Sequence, residues 1–119
     1  MKSSEVVDAF AALSHEKRLD IYRLLVKRGP QGHPAGVIAE KLGMPAPVLT
    51  FHAKALEHAG LIQSRQEGRN NIYTANFAAM QGLVDFLSAE CCTQADSGCT
   101  TDCVPAAAIR RRKASQGRS

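Results

Sequence analysis

Residues 44–60, MPAPVLTFHAKALEHAG, constrain this chain more than any other stretch, because both ends of one helix are written into them. Pro45 suits a first helical turn, where its missing N–H would have no intrahelical partner in any case. Gly60 is a natural C-terminal stop. Between them Val48, Phe51, Ala55 and Leu56 recur at three- and four-residue spacing, with Ala59 one turn on, which predicts one apolar stripe. Thr50, His52, Lys54 and Glu57 fall on the other faces, which are short, hydrogen-bonding and partly cationic. Such a face fits an ordinary amphipathic surface helix, and it equally fits a helix laid in a DNA major groove. The neighbouring segments decide between the two.

Upstream, Val37, Ile38, Ala39 and Leu42 mark a brief helix from about Ala35 to Leu42, ended by Gly43. Two helices joined by about three residues that include a glycine make a helix-turn-helix pattern, although many unrelated helical pairs share that spacing. Residues 31–36, QGHPAG, read as a turn. Before it, Val6, Phe10 and Leu13 share one face of a first helix over residues 4–13. Ser14 is a suitable N-cap for a second helix through about Lys27, with Leu19, Tyr22 and Val26 aligned and joined by Leu24 and Leu25. Gly29-Pro30 stops it.

Downstream, Leu61–Glu67 has extended character, Gly68-Arg69-Asn70-Asn71 is turn chemistry, and Ile72–Ala75 is rich in β-favouring residues. A hairpin directly after the second helix of such a pair is a wing. Its Arg65, Arg69, Asn70 and Asn71 suit phosphates or a minor groove, and they also suit a plain solvated tip. Residues 77–90 form a last helix, with Met80, Leu83, Val84 and Leu87 at helical spacing. First and last helices with apolar faces, in so small a domain, are candidates for a dimer interface. The expected fold is mainly α with a two-stranded β-hairpin wing: a winged helix-turn-helix of four helices, two strands and a final helix. The expected organisation is a DNA-binding and dimerisation domain over residues 1–92 and a flexible, cysteine-containing basic tail over residues 93–119.

A length of 119 residues bounds the chain to one small domain. No apolar run approaches the span of a bilayer, and the acidic N-terminus MKSSEVVDAF lacks a signal-peptide core, so a cytoplasmic protein is expected. The net charge of +4 is misleading. Arg110, Arg111, Arg112, Lys113 and Arg118 supply the excess, and the remainder carries ten basic against eleven acidic groups. Any nucleic-acid site must therefore rest on local clustering. Cys91, Cys92, Cys99 and Cys103 all fall within 13 residues. In a reducing compartment such packing points to metal, metalloid or redox chemistry rather than to a disulfide framework. No general base, phosphate loop or fixed third group accompanies the cysteines, so an enzyme is not expected.

LSHEKRLDIYRLL, VIAEKLGMPAPVLTFHAKALEHAGLI and EGRNNIYTA resemble, in that order, the second helix, the helix-turn-helix and the wing of the ArsR/SmtB family of metal-responsive winged-helix repressors. The resemblance covers about residues 5–90. It implies a homodimeric repressor that leaves double-stranded operator DNA when an inducer binds. Carried over position by position, it places Ala46, Pro47, Thr50, Phe51, His52 and Lys54 in the groove. Thr50 and His52 would offer base-edge hydrogen bonds, and Lys54 would meet phosphate.

Two of that family's sensing sites have no counterpart in the sequence. The stretch His33–Ile38 holds no cysteine where the arsenic sensors carry a Cys-Val-Cys-type motif, and the last helix has Asp85 but no histidine for a zinc site. The C-terminal thiols remain. They resemble a subgroup of arsenic repressors whose ligands are an adjacent cysteine pair past the last helix plus one downstream cysteine. Soft thiolates select thiophilic ions, and trivalent arsenic or antimony takes three of them in a pyramid. Cys91 and Cys92 would supply two, and Cys99 or Cys103 the third. The implied inducer is arsenite or antimonite, or methylarsenite at a two-thiol site, and no permanent cofactor is expected. A zinc or cadmium site, a thiol-oxidation switch, an inert tail and a winged helix used for protein contacts stay open as alternatives.

Overall fold

The structure, a computed structural model, describes residues 1–94. Helices α1 (Ser3–Leu13) and α2 (Glu16–Arg28) lead into a two-residue strand β1 (His33–Pro34). Helices α3 (Ala35–Leu42) and α4 (Ala46–His58) follow, then strands β2 (Ile62–Glu67) and β3 (Asn70–Ala75), then helix α5 (Phe77–Ser88). The chain divides into two compact units, Met1–Met80 and a second that begins at Gln81, within α5. Of the tail expected over residues 93–119, residues 95–119, with Cys99, Cys103 and the Arg110–Lys113 run, lie outside the described residues. Among the described residues no helix is long and apolar enough to cross a membrane.

The first unit is built around Ile21, Leu25, Ile38, Leu49, Leu56, Leu61 and Tyr73, its largest fully buried side chains. Each aliphatic one contributes about 1.5–3 kcal/mol by leaving water. The helix order and wing are as the sequence predicts, but several faces are not. In α1 the buried residues are Val6, Ala9 and Ala12, and Phe10 stays 41% exposed, because small side chains let this short helix approach its neighbours closely. In α2 the buried face is Ile21, Tyr22 and Leu25, with Leu19 exposed. Ser14 does not cap α2. Its hydroxyl donates back to the Ala11 carbonyl at 2.8 Å, and His15 takes the cap, its Nδ1 accepting from the Lys17 N–H at 3.2 Å.

Residues 33–34, expected in a turn, instead form the third strand of an antiparallel sheet ordered β1-β3-β2. His33 pairs with Tyr73 and Pro34 with Ile72. Gly32 makes this approach possible. Its φ is +72°, and a Cβ there would collide with the Tyr73 carbonyl oxygen and stand 2.5 Å from Thr74 Cγ2. Strands β2 and β3 pair from Ile62↔Ala75 to Glu67↔Asn70, so the hairpin turn is only Gly68-Arg69, and Asn70 and Asn71 belong to the strand. Asn76 joins the wing to α5: its Oδ1 accepts from the Ala79 N–H at 3.2 Å, and its Nδ2 donates to the Gly60 carbonyl at 3.0 Å.

Candidate nucleic-acid interface

Gly43 closes α3 in a left-handed conformation at φ +64°, and its N–H returns to the carbonyls of Ala39 and Glu40. Two residues on, Pro45 is the N-cap of α4 and Pro47 sits in its first turn, where no amide donor is lost. The α3–α4 turn is thereby fixed by backbone conformation. The buried face of α4 is Leu49, His52, Ala53 and Leu56, one position away from the stripe that Val48, Phe51 and Ala55 suggest; only Leu56 belongs to both. The correction follows from one hydrogen bond. His52, expected to face a groove, is 6% exposed, and Arg18 Nε donates to its Nδ1 at 3.1 Å. A buried imidazole satisfied in this way can take a core position that an unpartnered one could not. Its ring also meets the His15 ring, with centroids 4.5 Å apart. Burial first, then the charges of His15, Arg18 and Lys17, hold the His52 pKa below its usual 6.5.

Turning His52 inward turns Ala46, Pro47, Thr50, Phe51 and Lys54 outward, and all five are exposed. Phe51 is 66% exposed and stands 5.9 Å beneath the Arg18 guanidinium. Lys54 lies 3.8 Å from Glu57, whose other carboxylate oxygen accepts from the Ser64 hydroxyl at 2.8 Å. Glu57 therefore ties α4 to the root of the wing. Beside this face, an open cleft of about 1080 Å³ is walled by Glu5 and Asp8 on α1 and by Arg18, Lys54 and His58 opposite.

The wing residues separate into two kinds. Arg65 is committed within the protein: its Nε lies 2.6 Å from Glu67 Oε2, and its Nη2 donates to the Gln31 carbonyl at 2.9 Å. Asn71 Nδ2 donates to the Tyr73 hydroxyl at 3.2 Å. Arg69 and Asn70 stand exposed at the turn. Behind the wing, Arg28 Nε donates to the Gly32 carbonyl at 3.0 Å. His33 is held below its usual pKa by burial and by the nearby charges of Arg28 and Lys41. The roles of Arg18 and Gly32 are not visible in the sequence because their partners lie far along the chain, Arg18 and His52 being 34 positions apart, whereas the cap at His15 is local and competes with the more usual capping residue Ser14 beside it.

In the second unit, Gln81 Nε2 donates to Asp85 Oδ1 at 3.2 Å. Val84, Phe86 and Leu87 are exposed. Past the helix the chain turns through left-handed conformations at Glu90 (φ 60°) and Cys92 (φ 64°), and the Cys91 and Cys92 sulfurs lie 3.5 Å apart. Cys92 is disulfide-bonded.

A helix pair locked by a left-handed glycine, an outward face on its second helix and a hairpin rooted to that same helix define a winged helix-turn-helix DNA-binding domain. A helix-turn-helix domain family matches residues 13–65. The chain is 31% identical over 72 residues to an uncharacterized HTH-type transcriptional regulator of Methanocaldococcus jannaschii, covering 60% of this chain and 79% of that protein. It is similar to an ArsR-like transcriptional regulator from Rhodococcus, with 31% identity and a TM-score of 0.63 over 71% of this chain and 76% of that one. A third likeness is the homodimeric winged helix-turn-helix DNA-binding domain of a possible ArsR-family regulator from Mycobacterium bovis, with 28% identity, a TM-score of 0.57 and 73% and 81% of the two chains covered. The chain belongs to the ArsR-like family of winged helix-turn-helix transcriptional regulators. Its work is DNA binding and not catalysis.

Proposed function

We propose that this regulator is a homodimeric repressor that reads operator DNA through α4 and the wing and releases it when trivalent arsenic or antimony binds the C-terminal cysteines. The exposed face of α4 carries the DNA half of the proposal. Thr50 and Phe51 reach base edges, Ala46 and Pro47 allow close approach of the helix start, and Lys54, Arg69, Asn70 and Asn71 meet phosphates. Arg65 joins them only by exchanging Glu67 for phosphate, and Asn71 only by releasing the Tyr73 hydroxyl. Apolar side chains exposed on α1 (Val7, Phe10) and on α5 (Val84, Phe86, Leu87) supply the surfaces for a second copy.

The sulfur pair supports the sensing half. With metal–sulfur distances of about 2.3 Å, two sulfurs on a tetrahedral ion stand about 3.8 Å apart. The observed 3.5 Å leaves the two sulfurs near enough to meet on one ion once Cys92 is reduced. Reduction of Cys92 precedes ligation, and Cys99 or Cys103 supplies the third thiolate. Ligand and operator then oppose each other with a coupling of about 1–3 kcal/mol, roughly five- to 150-fold in affinity.

The disulfide-bonded state of Cys92 favours a second reading, in which thiol oxidation through the same cysteines is the signal. One gel-shift series on the chain's own promoter separates the two. Arsenite, antimonite, methylarsenite, cadmium and zinc are titrated under reducing conditions, with a disulfide-forming oxidant in a parallel arm. Release by arsenite that survives replacement of both Cys91 and Cys92 by serine overturns the site assignment. Release by oxidant alone selects the second reading.

A further inference from the structure

Phe51 is the one large apolar side chain exposed on α4, at 66%, and it forgoes the stabilisation that burial gives. The ring is nonetheless held in place. The Arg18 guanidinium carbon lies 5.9 Å from its centroid, and the His52 ring meets it edge-on at 5.3 Å and 69°. Arg18 is itself fixed by donation to the buried Nδ1 of His52. Three linked contacts thus tie the inner side of the ring to the core and leave the remainder in solvent between Thr50 and Lys54.

We propose that Phe51 determines specificity by reading the C5-methyl group of thymine in the major groove, and that Arg18 is the positioning residue that holds the ring for this contact. The proposal rests on α4 being the DNA reader. In the major groove a thymine presents a methyl beside its O4 acceptor, whereas cytosine presents an N4 donor and no methyl, so an apolar side chain distinguishes the two. Thr50, adjacent on the helix, can meet a neighbouring base edge, while Lys54 one turn on meets the backbone. A ring that is free to rotate would lose much of this contact to conformational entropy. The guanidinium stack and the imidazole edge remove that freedom before DNA arrives.

The test uses the full chain and a random pool of DNA duplexes from which bound sequences are enriched. Each thymine of the enriched duplex is then replaced by deoxyuridine, which removes only the methyl. Wild-type binding should weaken about fourfold, the worth of one buried methyl group, at one thymine in each half of the site. Phe51→Ala should bind the thymine duplex more weakly and lose that uridine penalty. Arg18→Gln, with folding checked by circular dichroism and its thermal midpoint, should shrink the uridine penalty. An equal loss on thymine and uridine duplexes by Arg18→Gln overturns the positioning role. The same uridine penalty in wild type and Phe51→Ala overturns the methyl contact. So does a change in oligomeric mass of Phe51→Ala in sedimentation, which would assign the ring to a protein interface. Enrichment with no uridine penalty anywhere defeats this inference alone, whereas no enrichment at all defeats the DNA-reading role of α4 with it.

Discussion

Replacing Gly32 by alanine should damage the fold far more than the same change at Gly68, although the two share a left-handed backbone (φ +72° and +63°). An L-residue held there costs about 1–2 kcal/mol, and stiffening the unfolded chain returns about 0.4–1 kcal/mol. At Gly68 the new Cβ meets nothing within 4 Å, so its net cost should be about 0–1.6 kcal/mol. At Gly32 the Cβ collides with the Tyr73 carbonyl and with the side chains of Thr74 and Ile72, backbone and β-branched groups that cannot swing aside. Overpacking of this kind adds about 1–3 kcal/mol. The chain escapes only by lifting β1 from β3, which forfeits the His33–Tyr73 pairing. We expect Gly32→Ala to be destabilised by about 2–4 kcal/mol overall. Urea unfolding of the two variants side by side, followed by circular dichroism, reads the difference as a shift in midpoint. Equal midpoints would refute the close approach of β1 to β3. Gly32→Ala should also weaken operator binding, since Gln31 and Gly32 anchor Arg65 and Arg28.

Leu56→Ala should cost about 2–5 kcal/mol by leaving a cavity under α4, and a thermal midpoint that falls by only a degree or two would contradict its full burial. Tyr22→Phe should be neutral or stabilising by about 1 kcal/mol, because the buried Tyr22 hydroxyl has no hydrogen-bond partner among the described residues; a clear loss of stability would reveal one. His52 and His33 both have pKa values held below 6.5, so the folded state binds their protons less readily than the unfolded chain. Stability should be fully present above about pH 6.5 and fall as pH drops below it, by at most about 1.4 kcal/mol per pH unit per histidine. A His52→Asn variant with the wild-type slope would exclude His52 as a source. Lys54→Ala should lower the slope of log affinity against log salt by about one, with base preference unchanged; a changed preference in selected sequences would place Lys54 on a base instead.

The order of elements was legible because its boundaries are chemical: Gly43, Pro45 and Gly60 set the ends of α3 and α4 whatever surrounds them. Which face of α4 points inward was not legible. Hydrophobic periodicity counts Phe51 as core and His52 as surface. The structure reverses them because Arg18, remote in sequence, satisfies the imidazole and stacks on the ring. Strand β1 was hidden for another reason. Two residues, one of them proline, carry no alternation, and the strand exists only because Gly32 lets the chain lie against β3. For the wing, composition correctly marked Arg65 and Asn71 as polar groups at a hairpin but could not show that both are engaged within the protein.

The pairing of Arg65 with Glu67 bears on how such a regulator searches a genome. Hold on arbitrary DNA comes almost wholly from cations that displace condensed counterions. In this wing one guanidinium is already neutralised and a carboxylate stands next to the tip, while the chain before residue 110 has one more acid than base. Contact of the wing with a wrong sequence thus releases few counterions, so hold on arbitrary DNA falls to other cations, chiefly Arg110, Arg111, Arg112, Lys113 and Arg118. The lifetime at the right site is then set by the handful of base-edge contacts that α4 can make, which leaves the complex responsive to even a modest opposing coupling.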